Sequence, residues 1–295
     1  MQPSPPIDLF DEARALIPRL DAATLAVDDY RRAGVFVVRG AIPSAQVRAW
    51  QEAWSRFAGA LAGARRVDPF NPVAMHEPAP DELACLHACP ALLDLMQQVY
   101  PDLALYQQRF VIKDAHSRGP VFLHQDYGYD HGWPEKTAVF VPLSRSGPDN
   151  GGLVLYPGTH RLGYLGDTGE VDPSCLGVEL PSLCPELDPG DVLLMHECTW
   201  HASLPHRNGP DRILAQVTYQ PADDPSGVAS LRGRPLARPS IGPETRARLF
   251  LRSRAGRLRE LQAENDRLRL ERQQLAPSAS AERAEQCVEP VRGDV

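Results

Sequence analysis

The feature that most constrains the fold is a series of short apolar runs between about residue 104 and residue 219, separated by Gly, Pro, Asp and Asn. Each run has the length of a β-strand, and Pro189-Gly190-Asp191 is a turn signal directly before one of them. Several short strands at such intervals predict a β-sandwich or a jelly roll. The predicted strands span residues 105–112, 121–124, 138–143, 152–156, 192–196 and 212–219.

Helices are predicted before this strand region. Apolar residues recur at helical spacing, and Pro90 marks a break or a new start in the last helix. We therefore expect a domain of residues 1–240 that is mainly β with N-terminal helices around a double-stranded β-helix, the jelly roll of cupin-like proteins. The predicted helices cover residues 8–20, a segment from Ser44 onward and residues 81–99, and a single strand is predicted over 35–38.

The segment after Pro239 has a different pattern, with apolar residues at heptad spacing. It predicts a helix over residues 243–276, and Asn265 at an a position is typical of a two-stranded coiled coil. The pattern favours a homodimer through residues 251–275, and a single amphipathic helix packed on its own domain is the alternative. The polar residues 277–295 are predicted to be disordered. The a positions are Leu251, Leu258, Asn265 and Arg272, and the d positions are Leu261, Leu268 and Leu275.

Composition bounds the class of protein. A hydrophobic content of 43% supports a packed core, and a formal charge of −7 argues against nucleic acid as the main partner. The six cysteines form no C-x-x-C pair, which is typical of reduced thiols. Residues 1–11 have neither a basic region nor an apolar run, and no apolar stretch is long enough for a membrane span. We expect a cytoplasmic protein with no membrane span.

Three residues suggest a metal site, and a fourth suggests a carboxylate ligand beside it. His124 and Asp126 are separated by one residue on a predicted strand, so both side chains can project from the same face. Alone this pair is weak evidence, because roughly one such pair arises by chance in a chain with 9 histidines and 38 acidic residues. His201 strengthens it, because two imidazoles and one carboxylate can hold ferrous iron and leave one face of the metal open. Arg212, eleven residues further on, can anchor a carboxylate by a two-pronged hydrogen bond.

The alternative for His201 is a buried histidine that is hydrogen-bonded to the backbone. The residues that compete with it for the role of ligand are His160, His196 and His206.

Four motifs in this order resemble the phytanoyl-CoA dioxygenase family of iron(II)/2-oxoglutarate oxygenases. The resemblance covers roughly residues 30–222 and includes the opening segment 34–54. The motifs are FLHQD at 122–126, DNGGLVLYPGTH at 149–160, GDVLLMH at 190–196, and WHAS at 200–203 leading to Arg212.

The resemblance implies roles for individual residues. His124, Asp126 and His201 match the iron ligands of the family. Arg212 matches the arginine that pairs with the C5 carboxylate of 2-oxoglutarate, and Ser203 matches the small hydroxyl residue beside it.

Further contacts are less directly implied. Gln107 and Lys113 precede the first ligand, where the family often has more cosubstrate contacts, and an exposed lysine at a strand end is the alternative for Lys113. Four residues after the ligand strand either line the mouth of the site, in contact with substrate, or pack the edge of the sheet. They are Tyr127, Tyr129, His131 and Trp133.

The resemblance implies an enzyme that uses Fe(2+), 2-oxoglutarate and O2, releases succinate and CO2, and hydroxylates an unactivated C–H bond. The substrate expected is a small molecule, such as a natural-product or envelope-sugar intermediate. Desaturation, epoxidation or ring formation, an acyl-CoA substrate, and a jelly-roll binding module without activity all stay open. Asp126 disfavours halogenation, because related halogenases have a small residue in its place. The acidic segment 166–187 predicts a lid that suits a cationic or hydroxyl-rich substrate.

Overall fold

The computed structural model describes residues 9–61, 80–114, 118–130, 132–166 and 170–236, and the single residues Ala263, Arg267 and Leu268. The chain divides into two compact units, residues 1–243 and 244–295. In the second unit the three described residues are helical and exposed. The rest of the predicted coiled coil and the predicted disordered segment 277–295 lie outside the described residues, so these two predictions and the predicted domain limits stay predictions.

Ten strands form two sheets in the first unit. The larger sheet has the order β1-β2-β7-β5-β9-β3-β10, in which β1 and β2 are parallel and every other pair is antiparallel. The smaller sheet has the order β4-β8-β6 and is antiparallel. The strands are β1 (Asp21–Ala22), β2 (Val35–Val38), β3 (Leu103–Lys113), β4 (Val121–His124), β5 (Thr137–Pro142), β6 (Leu153–Leu155), β7 (Val192–His196), β8 (His201–Ser203), β9 (Arg212–Pro221) and β10 (Ala229–Arg232).

The outer face of the larger sheet carries the hydrophobic core. Helices cover this face, and the Trp54 ring lies 4.9 Å from the Phe110 ring of β3. Pro90 begins the last of these helices, because its fixed φ suits the first helical turn and it has no N–H to leave unpaired. The helices are α1 (Leu9–Leu16), α2 (Val27–Ala33), α3 (Ser44–Leu61), α4 (Asp81–Ala84) and α5 (Pro90–Gln97).

Gly34 ends α2 and directs the chain into β2. Its φ of +72° lies in the left-handed region, and its N–H donates to the Tyr30 carbonyl. A Cβ at this position would lie 2.4 Å from Nδ1 of His160. Glycine is therefore required here both by the backbone angle and by the close approach of the histidine ring.

The inner face of the larger sheet is polar, although it is buried. Alternate residues of β9 carry Arg212, Gln216, Thr218 and Gln220, and each is at most 1% exposed. Buried polar side chains are uncommon in a core and need partners. Their concentration on one face identifies the space between the two sheets as the place to look for a site.

The fold is mainly β with N-terminal helices, as the sequence predicted. Every strand predicted from residue 105 onward is present. One helix prediction was too long: the helix expected over residues 8–20 ends at Leu16 and continues as a short 3-10 turn. The break or new start predicted at Pro90 is confirmed, because α5 begins there after α4 and a short 3-10 turn. The elements that were not predicted are β1, α2, β8 and β10, which are short and lack a clear periodic pattern.

Candidate iron and 2-oxoglutarate site

Three side chains converge between the two sheets. Oδ1 of Asp126 lies 3.4 Å from Nε2 of His124 and 3.4 Å from Nε2 of His201. His124 ends β4, His201 begins β8, and the two residues are direct cross-strand partners. One ligand atom from each of the three residues lies within 4.8 Å of the others. The structure therefore brings together the three residues that the sequence predicted as metal ligands.

Asp126 lies just beyond the strand that was predicted to carry it. It is the first residue of a 3-10 turn, Asp126–Tyr129, and Gln125 before it is still extended, with φ −115° and ψ 132°. Strand alternation therefore continues for one more residue, so the ligand pair still shares a face. Gln125 points the other way, as expected, and its amide donates to the carbonyl oxygens of Gly163 and Cys198.

Backbone carbonyls set the orientation of both imidazoles. Nδ1 of His124 lies 2.8 Å from the Phe122 carbonyl oxygen, and Nδ1 of His201 lies 3.0 Å from the Thr199 carbonyl oxygen. A carbonyl oxygen only accepts, so Nδ1 carries the hydrogen in each ring and Nε2 keeps a free lone pair. Both lone pairs are directed at Asp126, which is the arrangement that a divalent metal requires.

The second carboxylate oxygen of Asp126 is held away from this centre. Gln216 Nε2 donates to Oδ2 at 3.2 Å, and the Arg109 guanidinium lies 3.7 Å from the same oxygen. Arg109 also donates through Nε to the Gln216 side-chain oxygen at 2.8 Å. Burial raises the pKa of Asp126, but in the metal-free protein His201 and His124, when protonated on Nε2, together with the charge of Arg109 outweigh this and hold the pKa well below its usual range. The carboxylate is therefore charged and offers one oxygen to a metal.

Arg212 lies in the same interior space with part of its guanidinium unused. The residue is 1% exposed, and Nη1 donates to the Gly151 carbonyl oxygen at 2.6 Å. Its Nε is buried and has no hydrogen-bond partner among the described residues, and the same is true of Oγ of Ser203. Ser203 shares a strand face with His201, two residues before it. Two buried polar atoms without partners fit the distal carboxylate of a bound diacid.

Lys113 is buried beside Arg212. It is 3% exposed, and the two residues are direct cross-strand partners. Its ammonium donates to the carbonyl oxygens of Gly119 and Leu204, and no carboxylate of the described residues pairs with either cation. Burial lowers the pKa of Lys113 to about 7, with the Arg212 charge as a further cause, and burial lowers the pKa of Arg212 to about 10. The exposed strand-end position considered for Lys113 is therefore wrong.

Gly151 makes room for this lysine. Its φ is +90°, and a Cβ would lie 2.4 Å from Cδ of Lys113. The turn at Gly151 therefore shapes the surroundings of the two cations.

The other residues that were predicted to contact cosubstrate or substrate lie in different surroundings. Gln107 lies on the inner face of β3, two residues before Arg109 in a regular register. Tyr129 is 38% exposed, and its ring contacts the His124 ring edge-on at 6.1 Å. Tyr127 is a packing residue whose hydroxyl donates to the Gly132 carbonyl oxygen. His131 lies outside the described residues.

Trp133 is 44% exposed, and its backbone is fixed by a buried ion pair. The pair joins Lys136 and Asp224, whose side chains are both fully buried. Asp224 accepts the Trp133 N–H, and Lys136 donates to the Trp133 carbonyl oxygen. The side chain of Trp133 is thus presented outward from a rigid backbone.

The competing histidines are placed elsewhere. His160 and His196 contact each other at 5.1 Å and line a cleft with Tyr30 and Tyr100, which lie on the helix-covered side of the larger sheet. His206 Nε2 bonds the Pro210 carbonyl oxygen.

Sequence reasoning missed Arg109 and Gln216, which hold Asp126. The available signal was the spacing of polar residues on β9, which places Gln216 on the same face as Arg212.

Comparison with known proteins agrees with this geometry. Residues 30–214 match the phytanoyl-CoA dioxygenase (PhyH) family, which is more than half of the chain. The chain belongs to this family. Family membership and the His–Asp–His cluster together identify an iron- and 2-oxoglutarate-dependent oxygenase, as the sequence motifs implied.

Solved structures with the same fold include enzymes with several reactions. The epimerase SnoN, in complex with Fe3+, alpha ketoglutarate and nogalamycin RO, has 19% identity and a TM-score of 0.59, over 77% of this chain and 97% of that one. EctD from S. alaskensis, with 2-oxoglutarate and 5-hydroxyectoine, has 23% identity and a TM-score of 0.56, over 73% and 86%. The carbocyclase SnoK has 18% identity and a TM-score of 0.57, over 72% and 87%.

These likenesses describe the fold and leave the substrate open. Comparison with curated proteins gives no match in sequence. Within the described residues, no helix is both long and apolar enough to cross a bilayer.

Proposed function

We propose that this oxygenase hydroxylates an unactivated C–H bond of a small molecule, with Fe2+ held by Nε2 of His124, Nε2 of His201 and Oδ1 of Asp126. The observation that carries the assignment is the convergence of these three atoms, with both Nδ1 atoms committed to backbone carbonyls. This donor set suits a ferrous centre that keeps one face open. Bound iron supplies the activation of O2, with 2-oxoglutarate oxidised to succinate and CO2.

The protein's own residues orient the cosubstrate. The C5 carboxylate of 2-oxoglutarate fits between Nε of Arg212 and Oγ of Ser203, the two buried atoms that lack partners among the described residues. Lys113 adds a second positive charge beside Arg212. Gln107 is a further candidate contact on the same strand face. A dianion in this place restores partners to the orphaned donors and neutralises the buried cations.

The residues around Asp126 keep its geometry constant. Gln216 and Arg109 occupy the outer oxygen, so a metal is bound through the inner one. Tyr129, whose ring lies against that of His124, and Trp133, which is exposed four residues further along the chain, are the substrate contacts that we propose, whereas the Tyr127 hydroxyl is already hydrogen-bonded within the fold. His131 stays a prediction for the same role.

For the substrate, we propose only a chemical class. A natural-product or envelope-sugar intermediate fits an exposed aromatic border on the site, and the acidic segment 166–187 favours a cationic or hydroxyl-rich molecule over an acyl-CoA. The solved structures of similar fold include an epimerase and a carbocyclase, so ring formation or desaturation at the same iron is the second candidate. The mass of the product separates these outcomes: hydroxylation adds one oxygen, and desaturation or ring closure removes two hydrogens.

The assignment of the site is tested by anaerobic reconstitution with Fe2+ and 2-oxoglutarate. The visible charge-transfer band of the ternary complex should appear in the wild type and be lost in His124→Ala and Asp126→Ala. Arg145→Met, which alters an arginine that is 62% exposed, is the control and should leave the band intact. A wild-type protein without a band, and without 2-oxoglutarate consumption under any substrate, would instead favour a binding module.

We also propose that two copies of the chain pair in the cytoplasm through residues 251–275, which lie within the helix predicted for residues 243–276. Leu268, at a predicted d position, is 49% exposed in the single chain. Light scattering after size exclusion should give a dimer for the wild type and a monomer for Leu268→Asp. A monomeric wild type would refute this pairing.

A further inference from the structure

One short turn between β7 and β8 contacts the segments that carry the metal ligands. The carbonyl oxygens of its first three residues, 197–199, each accept one hydrogen bond. The Tyr127 N–H donates to the first at 3.1 Å, the Gln125 side-chain amide to the second at 2.8 Å, and Nδ1 of His201 to the third at 3.0 Å. The two residues that flank Asp126 and one ligand imidazole are therefore fixed by three consecutive peptide groups.

The turn itself is tied to the rest of the fold. The Thr199 N–H donates to the His196 carbonyl oxygen at 2.8 Å, and its hydroxyl donates to the Gly34 carbonyl oxygen at 3.0 Å. The Glu197 N–H donates to the Lys136 carbonyl oxygen at 3.0 Å. These bonds leave the three acceptor carbonyls little freedom to reorient.

Glu197 makes a second connection, to the far end of the turn that begins at Asp126. Its carboxyl group is fully buried and lies next to that of Asp130, and Thr218 donates to Oε1 at 3.2 Å. Oε2 of Glu197 and Oδ2 of Asp130 are both buried and have no donor among the described residues. A hydrogen bond between two carboxyl groups needs a proton on one of them.

The surroundings keep this proton in place. Burial raises the pKa of Glu197 well above its usual range, and the charges of Asp130 and Asp126 raise it further. The two nearby cations are engaged elsewhere, Arg109 with the Gln216 side chain and Lys136 with Asp224. Neither forms an ion pair with Glu197 or Asp130 among the described residues, so burial and the neighbouring negative charges favour a proton on Glu197.

We propose that residues 197–199 are the positioning element of the iron centre, and that Glu197 and Asp130 are positioning residues that lock the Asp126 turn onto it through one shared proton. The inference rests on the proposed function and deepens it. Neither residue is itself a ligand. Together with the three carbonyls, they fix where Oδ1 of Asp126 lies relative to the two imidazoles before metal binds.

The test compares metal affinity and local opening in four variants. Glu197→Ala and Asp130→Ala remove the carboxyl bond. Glu197→Gln keeps it, because the amide can donate to Asp130 and still accept from Thr218. Val139→Ala, in the core of β5 and on the face away from the site, is the control for a general loss of stability. Affinity is measured anaerobically with Fe2+ and with Co2+ as a probe that does not oxidise, and amide exchange of residues 125–130 is measured in the metal-free protein.

Removing the carboxyl bond should weaken metal binding by about 10- to 100-fold, the range for residues that support metal ligands. The same two variants should speed amide exchange at Tyr127, while Glu197→Gln and Val139→Ala should bind metal like the wild type. Asp130 is partly exposed, so Asp130→Ala decides the matter if Glu197→Ala fails to fold. Unchanged affinity in both alanine variants, or an equal loss in Glu197→Gln, would overturn the inference.

Failure of the proposed function has a different signature. A wild-type protein that binds neither Fe2+ nor Co2+ would refute the iron site, and amide exchange at Tyr127 would still decide whether the carboxyl pair locks the turn.

Discussion

Replacing Arg212 with methionine should stabilise the free protein and weaken cosubstrate binding at the same time. The guanidinium is buried without a carboxylate partner among the described residues, and burial lowers its pKa to about 10. A shift of this size corresponds to a desolvation cost of about 3 kcal/mol. The variant also loses the hydrogen bond to the Gly151 carbonyl oxygen, which costs about 1–2 kcal/mol. The free energy of unfolding should therefore rise by up to about 2 kcal/mol, and Tm by up to about 6 °C.

The effect on 2-oxoglutarate has the opposite sign. Truncating one partner of a buried, hydrogen-bonded charge pair costs about 2–5 kcal/mol, so Kd should rise by about 30- to 4000-fold. The assays are thermal unfolding without ligand and calorimetric titration of the iron-loaded protein under anaerobic conditions. A 2-oxo acid without the distal carboxylate is the control ligand and should bind both proteins equally.

Two results would refute this reasoning. The first is a metal-free Arg212→Met protein that unfolds at a clearly lower temperature than the wild type, because the guanidinium would then be compensated in the free state. The second is an unchanged Kd for 2-oxoglutarate, because the distal carboxylate would then bind elsewhere.

Three other changes have defined outcomes. Burial lowers the pKa of Lys113 in the folded protein to about 7, below its value in the unfolded chain. The free energy of unfolding should therefore rise as pH increases from about 7 to 10. Lys113→Met should flatten that pH dependence in denaturant titrations. For the same reason, 2-oxoglutarate affinity should fall as pH rises through 7 in the wild type and not in that variant. Gly151→Ala should raise Kd for 2-oxoglutarate but leave Fe2+ affinity unchanged in parallel titrations, because a Cβ there displaces Lys113; a matching loss of Fe2+ affinity would contradict this. Lys136→Met should cost about 3–5 kcal/mol in urea unfolding by leaving Asp224 charged and buried, and adding Asp224→Leu should recover most of it; no recovery would show that the pair is not the cause.

The parts of the site that the sequence predicted are those encoded by local spacing. His124 and Asp126 share a face because one extended residue separates them, and this holds although Asp126 lies beyond the strand. Ser203 and His201 are related by the same two-residue period. These two-residue spacings can be read from the sequence motifs alone, because they do not depend on which strands are neighbours.

The parts that were missed depend on pairing between distant strands. Arg109 meets Gln216 because β3 and β9 are aligned in one particular register, and that register is set by packing over both strands. Glu197 meets Asp130 because the turn after β7 lies against the turn after β4. The sequence around each of these four residues looks the same as that around a solvent-exposed polar residue. Arg, Gln, Glu and Asp are more often exposed than buried, so exposure is the default expectation.

Short elements were missed for a related reason. β8 has three residues, too few for a strand pattern, and it forms because it fits between β4 and β6. Tertiary pairing overrides weak local preference in such cases. The second ligand histidine, His201, therefore lies on a short strand of its own.

The interior between the sheets contains separate regions of opposite charge, which suit the proposed binding of a metal ion and a dicarboxylate cosubstrate. Lys113 and Arg212 are paired at one point of β3 and β9, and Arg109 and Gln216 are paired four residues, or about 13 Å, along the same strands. The first region has excess positive charge, and the second contains Asp126 and the carboxyl pair of Glu197 with Asp130, for which Arg109 compensates only in part. A divalent cation neutralises the negative region and a dicarboxylate neutralises the positive one. Because each region is costly to bury alone, the free protein carries unfavourable electrostatic energy that binding of the two groups relieves. On the proposed assignment of the site, this charge arrangement would also set the direction of the diacid, because its distal carboxylate would bind the cations while its other end bound the metal.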